Sequence, residues 1–324
     1  MASKLLQERV VYKPFEYPEA HGYWLKQQQA HWLHTEVPMM SDVNDWKQNL
    51  TKTEKNIVGS ILKGFAQTET VVNDYWSGLV TKWFRKPEII MMATTFGAFE
   101  TIHAEAYSLL NEELGLDDFS EFLEDEAKIE NLMSVRDSFN GEKDWHEIAK
   151  SLAIFSAFTE GVNLFSSFAI LLSFKMRNKL KGVGQIVEWS IRDESMHSDA
   201  GCWLFRTLIK ENPQLNTPEL KAAITEAALL SLQLELDFIN KVYEFGDLEG
   251  CSKEDLICFI KNRVNTKLGD LGYDPVVNGI DPNALKRMKW FDSLSAGKQH
   301  TDFFANRVTN YSKGHMEWDA EAIF

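Results

Sequence analysis

Two Glu-x-x-His tetrads, Glu100-Thr101-Ile102-His103 and Glu194-Ser195-Met196-His197, are the residues of this sequence best suited to chemistry. On a helix, positions i and i+3 share a face, so each tetrad aims one carboxylate and one imidazole at the same point. One tetrad says little, because a chain of this length holds about one by chance. Two of them in the middle of long helical stretches say more. Two further carboxylates, Glu69 and Glu160, lie in mainly apolar helical surroundings. A buried carboxylate needs a partner, a proton or a metal ion. The bland reading makes Glu100 and Glu194 surface residues and the two histidines satisfied core groups. It serves for either tetrad alone, and poorly for six residues of the right types together. Oxygen-rich donors with one imidazole per metal suit iron or manganese. Cys202, Cys251 and Cys258 form no C-x-x-C pair, so a thiolate zinc site or a disulfide framework is excluded.

Tyr107 follows His103 by four residues, on the same face and one turn further along. It reads either as a core tyrosine with a hydrogen-bonded hydroxyl or as a redox tyrosine beside an oxidising metal pair, and spacing does not separate the two. Leu164 and Phe168, at i+4 and i+8 from Glu160, could line an apolar pocket around Tyr107 or simply be core.

Helices must position these groups. Glycine (18) and proline (8) are sparse, and long stretches show helical rather than strand periodicity. Thr51-Lys52-Thr53-Glu54 predicts a capping box opening a helix to about Val80. Pro87 predicts the first turn of a second helix that stops at Gly115. An acidic segment, 117–131, leads into shorter helices, followed by an apolar helix over 148–175 and another over 181–211. Thr217-Pro218-Glu219 restarts a helix that runs to about Phe245. The expected fold is all-α: a helical bundle over 1–291, with 292–324 as a flexible C-terminal tail. Four carboxylates and two histidines on four such helices are the donor set of ferritin-like di-iron and di-manganese proteins.

Other classes are bounded by composition. The chain has 324 residues, 25% of them charged, and a formal net charge of -14, which disfavours nucleic-acid binding. The N-terminus has no apolar signal-type segment, so a soluble cytoplasmic protein is expected. Residues Ser151 to Phe174 are apolar enough to span a bilayer, but Glu160 and Asn163 at the centre favour a core helix.

The sequence resembles the small, radical-generating subunit of class I ribonucleotide reductase along nearly its whole length. RDESMH (192–197) is similar to that family's Arg-Asp-Glu-x-x-His segment, FETIHAEAY (99–107) to its ligand–tyrosine segment, and TEGVNLFSSF (159–168) to its third ligand helix. The resemblance implies that Glu69, Glu100 and His103 bind one metal and that Glu160, Glu194 and His197 complete a second, with Glu100 and Glu194 bridging. WLHTEVPMMSD (32–42) resembles the family's tryptophan segment, which makes Trp32 a redox relay joined to His103 through Asp193. DFFANRVTNYSKG (302–314) resembles the start of the family's tail, which makes Tyr311 the interfacial tyrosine; Trp318 is a weaker candidate. The resemblance further implies that the final EWDAEAIF docks into a large catalytic subunit that reduces ribonucleotides to deoxyribonucleotides, and that the small subunit is a homodimer.

Two departures bear on the cofactor. Glu69 stands where the common iron–tyrosyl pattern has Asp, and Leu164 where an aromatic residue is common. Glutamate at the first position occurs in manganese-using subclasses, whereas the Mn/Fe subclass replaces the tyrosine present here as Tyr107. The resemblance therefore implies an Mn2 or Fe2 centre, with a mixed Mn/Fe pair disfavoured. It leaves open whether Tyr107 or the metal pair stores the oxidising equivalent, and whether O2 or superoxide is the oxidant. All six ligands are present, against the metal-free subclass, and no extra N-terminal regulatory domain is expected. The rival expectations are an R2-like ligand-binding oxidase, a ferritin-type iron-binding protein and an inert helical interaction protein.

Overall fold

The computed structural model describes residues 3–116 and 144–295. The acidic segment 117–131 and the tail beyond 295, with Tyr311 and Trp318, lie outside the described residues. Among the described residues the architecture is helical, with one isolated bridge between Leu248 and Cys251 and no β-strand. No described helix is long and apolar enough to cross a membrane.

The principal helices are α1 (Pro18–Gln29), α2 (Lys52–Asp74), α3 (Pro87–Leu114), α4 (Trp145–Ile154), α5 (Phe165–Met176), α6 (Lys181–Glu211), α7 (Pro218–Glu244), α8 (Lys253–Leu271), α9 (Pro282–Arg287) and α10 (Lys289–Ser295). The local signals act as their chemistry requires. Thr51 Oγ1 accepts the Glu54 N–H at 3.2 Å while Glu54 Oε2 accepts the Thr51 N–H at 2.8 Å, closing the box that starts α2. Pro87 opens α3, and Gly115 ends it with φ 69°, a left-handed conformation that costs glycine little. Thr217 Oγ1 caps α7 through the Leu220 N–H.

The apolar run differs from expectation: it is two helices, not one. After α4 the chain widens into a π-helical turn over Phe155–Thr159 and breaks, with Leu164 at φ 75°, before α5 begins. The Glu160 N–H bonds Phe155 O and the Asn163 N–H bonds Phe158 O, each five residues back. One extra residue in a turn rotates the succeeding residues by about 100° relative to a regular helix, which sets the direction of Glu160. Gly161 permits the tight path. A Cβ there would lie 2.3 Å from Ala157 O and 2.8 Å from Lys267 Cδ.

The tail boundary expected after 291 falls inside α10, whose Phe291 is buried against Phe259 and Phe165. The helices α2, α3 and α6, with the π-helical turn, enclose a core that includes Phe65, Phe96, Phe155, Phe168 and Trp76. Each such side chain contributes about 1.5–3 kcal/mol through burial. That rigid surround encloses a cluster of buried carboxylates and imidazoles.

Candidate metal centre

Helix α2 brings Glu69, α3 brings Glu100 and His103, the turn after Phe155–Thr159 brings Glu160, and α6 brings Glu194 and His197. All six are buried. Their donor atoms form two groups: Glu69, Glu100, His103 and Glu194, and then Glu100, Glu160, Glu194 and His197. Within each group the atoms lie inside 4.8 Å of one another, and Glu100 and Glu194 belong to both. The structure thus brings together every metal-ligand candidate read from the sequence.

Both imidazoles turn Nδ1 inward. His103 Nδ1 lies 3.1 Å from Glu100 Oε2 and 2.9 Å from Glu194 Oε1; His197 Nδ1 lies 2.8 Å from Glu100 Oε1. The outward nitrogens have fixed partners. His103 Nε2 lies 3.3 Å from Asp193 Oδ2, and His197 Nε2 lies 3.2 Å from Gln27 Oε1. Acceptors at Nε2 hold the proton there and leave Nδ1 free as a lone-pair donor, the usual arrangement of a metal-binding histidine.

Electrostatics mark the cluster as short of positive charge. Burial, and then the charges of Glu194 and Glu100, push the Glu69 carboxyl well above the carboxylate range. Burial and Glu194 do the same to Glu160. Burial opposes ionisation of Glu194 too, but hydrogen bonds with Glu160, His103 and His197 outweigh it and hold this group well below its usual value. Burial also opposes charge on the histidines, yet Glu100 leads the groups that lift His197 to about 9 and His103 well above its ordinary value. Glu69 Oε1 makes no hydrogen bond, and the close approaches of His197 Nδ1 to Glu100 Oε1 and of Glu194 Oε1 to His103 lack hydrogen-bond geometry. Orphaned acceptors converging on one point are costly alone and are satisfied by cations. The residues present fit a pair of divalent metal ions.

Trp32, singled out by the family resemblance, is buried and stacks on the His103 ring. Its indole N–H donates to Asp193 Oδ2 at 2.7 Å, the same oxygen that faces His103. Burial resists charge on Asp193, but His103 and Arg192 hold its pKa below the usual value. Tyr107 is fully buried, its ring centroid 6.4 Å from that of His103. Its hydroxyl makes no hydrogen bond of normal geometry, unlike an ordinary core tyrosine. Burial and the charge of Glu69 raise its pKa well above normal. Phe65 packs directly on Tyr107 at 4.8 Å, and Phe168 lies behind Phe65 at 5.2 Å. Leu164 instead occupies the left-handed position that starts α5.

Sequence reasoning missed three neighbours. Trp76 donates its N–H to Glu160 Oε1, Gln27 faces His197, and Phe96 packs on the His197 ring at 4.2 Å. Phe96 had a usable signal, four residues before Glu100 on the same helix face. Trp76 and Gln27 had none, being brought in from 84 and 170 residues away.

The family model described as ribonucleotide reductase, small chain, matches residues 9–283. A relative from Invertebrate iridescent virus 3, described as a probable ribonucleoside-diphosphate reductase small subunit, is 34% identical over 98% of this chain and 88% of its own. The ribonucleoside-diphosphate reductase subunit beta of Chlamydia pneumoniae is 25% identical over 94% of this chain and 91% of its own. Among solved structures, the Streptococcus sanguinis dimanganese(II)-NrdF superposes with TM-score 0.73 at 20% identity, covering 87% of this chain and 99% of its own. The R2 subunit from Clostridium botulinum also gives 0.73, at 21% identity, covering 86% of this chain and 89% of its own. At such identities these two likenesses carry the fold, a ferritin-like helical bundle, and not the metal.

Proposed function

The chain belongs to the ribonucleotide reductase small-chain family, and from that premise we propose that its buried cluster holds a redox metal pair served by Trp32, Asp193 and Tyr107. As a ribonucleoside-diphosphate reductase small subunit it is an oxidoreductase component. The observation that carries the proposal is the sharing of Glu100 and Glu194 between two four-donor groups. Glu69, Glu100 and His103 would hold one ion; Glu160, Glu194 and His197 would complete the other. When bound, an Fe2 or Mn2 pair supplies one-electron chemistry with oxygen or superoxide.

The surrounding residues have separate tasks. Asp193 and Gln27 orient the two imidazoles. The packed aromatic shell excludes water from the oxidising site. Trp32 can give up an electron toward the site while its indole proton passes to Asp193, whose Oδ2 already accepts it. Tyr107 is placed to be the radical tyrosine: it is sequestered and next to His103. The Trp32–Asp193–His103 contact favours a reductase over an R2-like oxidase or a ferritin-type store, neither of which needs a route outward.

The equivalent would then reach a large catalytic subunit through the tail, with Tyr311 at the interface, and the small subunit would act as a homodimer in the cytoplasm. Low-temperature EPR of protein loaded separately with iron and manganese, with oxygen and with a superoxide source, tests the proposal. A tyrosyl-type signal lost in Tyr107→Phe supports the tyrosine as the store. A multiline manganese signal that survives Tyr107→Phe puts the oxidising equivalent on the metals instead. No oxidised signal under any loading counts against the reading as a whole.

A further inference from the structure

Trp32 poses a problem of access. It is only 2% exposed, so a redox group on another protein cannot touch it. One face of its indole stacks on His103, with centroids 5.7 Å apart and planes 23° from parallel. A second indole, Trp189, lies against Trp32 with centroids 5.1 Å apart and planes at 43°. Trp189 is half-buried and lies on α6 one turn before Asp193, so the helix that fixes the Trp32 hydrogen bond also fixes this contact. His103, Trp32 and Trp189 therefore form an unbroken series of ring contacts from the buried cluster to a half-buried indole.

We propose that Trp189 is the outer redox residue of this stack, through which holes leave or enter Trp32. The inference rests on the redox role proposed for Trp32 and adds its exit. With a hole on Trp32, one electron passes from Trp189 to Trp32, and the proton held by Asp193 returns to Trp32 Nε1. Trp189 is left oxidised, and its indole proton goes to solvent water, which reaches the partly exposed residue. The reverse sequence brings an electron in. Phenylalanine at 189 would keep apolar packing against Trp32 but has no accessible one-electron oxidation, whereas tyrosine has one.

Two experiments on the full chain separate this inference from the metal reading. In the first, metal-free protein is flashed with a soluble ruthenium polypyridyl photo-oxidant and persulfate, and oxidised tryptophans are mapped by peptide mass spectrometry. Trp32 should be oxidised in the wild type, about tenfold less in Trp189→Phe, and again in Trp189→Tyr, with the half-buried Trp24 and Trp46 as unchanged references. Equal oxidation of Trp32 in Trp189→Phe, or none in the wild type, overturns the proposal whatever metal the protein binds. In the second, the small chain is loaded and oxidised, and ferrocyanide reduction of its stored equivalent is followed by stopped-flow absorbance. Trp189→Phe should slow this step about tenfold and Trp189→Tyr restore it; an unchanged rate contradicts the exit role.

Discussion

Trp32 and Asp193, 161 positions apart, are joined by an indole N–H donated to a carboxylate oxygen at 2.7 Å in the buried interior. Asp193 Oδ2 serves Trp32 and His103 together, while Oδ1 takes Arg192 at 3.2 Å. Every lone pair that matters on this carboxylate is in use.

Asp193→Asn cannot reproduce that pattern. With its oxygen toward Trp32 and His103, its amide N–H2 faces the Arg192 guanidinium; flipped, it faces the Trp32 N–H. The His103 ring is then no longer held with Nδ1 free. We expect metal affinity at the His103 half of the site to fall about 10–100-fold. Titration with Mn(II), following free metal by EPR, checks this, and an unchanged affinity would show that Asp193 does not orient the ligand.

Metal loading should release protons. Without metal, Glu69, Glu160, His103 and His197 all have raised pKa values, so they hold protons that cations must displace. Apparent affinity should therefore fall as pH is lowered and rise through neutrality toward the His197 value of about 9. Calorimetric titration at one pH in buffers of different ionisation enthalpy measures the proton count directly. A heat independent of the buffer contradicts this charge pattern.

Gly201 on α6 lies against the π-helical turn, where a Cβ would fall 2.0 Å from Ser156 Oγ. Gly201→Ala should destabilise the chain by about 1–3 kcal/mol through overpacking. Ser156 Oγ is buried and unpartnered, so Ser156→Ala should cost little and should recover part of that loss in the double variant. Denaturant melts of the three variants decide it; strictly additive effects would mean the two positions do not clash.

Glu54 links the start of α2 to the chain after α5. It accepts from the Thr51 N–H and pairs with Arg177 at 2.6 Å and Lys179 at 3.2 Å. Burial opposes its charge, but these donors prevail and lower its pKa from 4.5. The group's contribution is therefore complete above its unfolded value and is lost as pH falls through the lower folded value. Glu54→Gln should cost about 1.5–3 kcal/mol at neutral pH. The gap between the two stability curves should close in acid. A gap independent of pH would rule out the ion pairs as its source.

The features legible in the sequence are those whose signals are local. The Thr51–Glu54 box, Pro87, Gly115 and Thr217-Pro218 act within a turn of themselves, and the helices begin or end at those residues. The two Glu-x-x-His tetrads are likewise local. The break at Leu164 was not legible, because a run apolar on every side has no period to interrupt and no glycine stands at the left-handed position. Helices α1 and α8 were passed over, their apolar faces being weakly marked. Trp76, Gln27 and Trp189 join the site or its outlet only through tertiary packing, and a tryptophan near a carboxylate in space leaves no spacing to read.

The central claim is that the two donor groups hold two metal ions and share Glu100. Metal analysis of wild-type and Glu100→Ala protein, each loaded with iron or manganese and then desalted, tests it most directly. About two ions per chain are expected in the wild type and loss of both in Glu100→Ala, because each half of the site depends on that carboxylate. Two ions retained by a folded Glu100→Ala protein would contradict the claim.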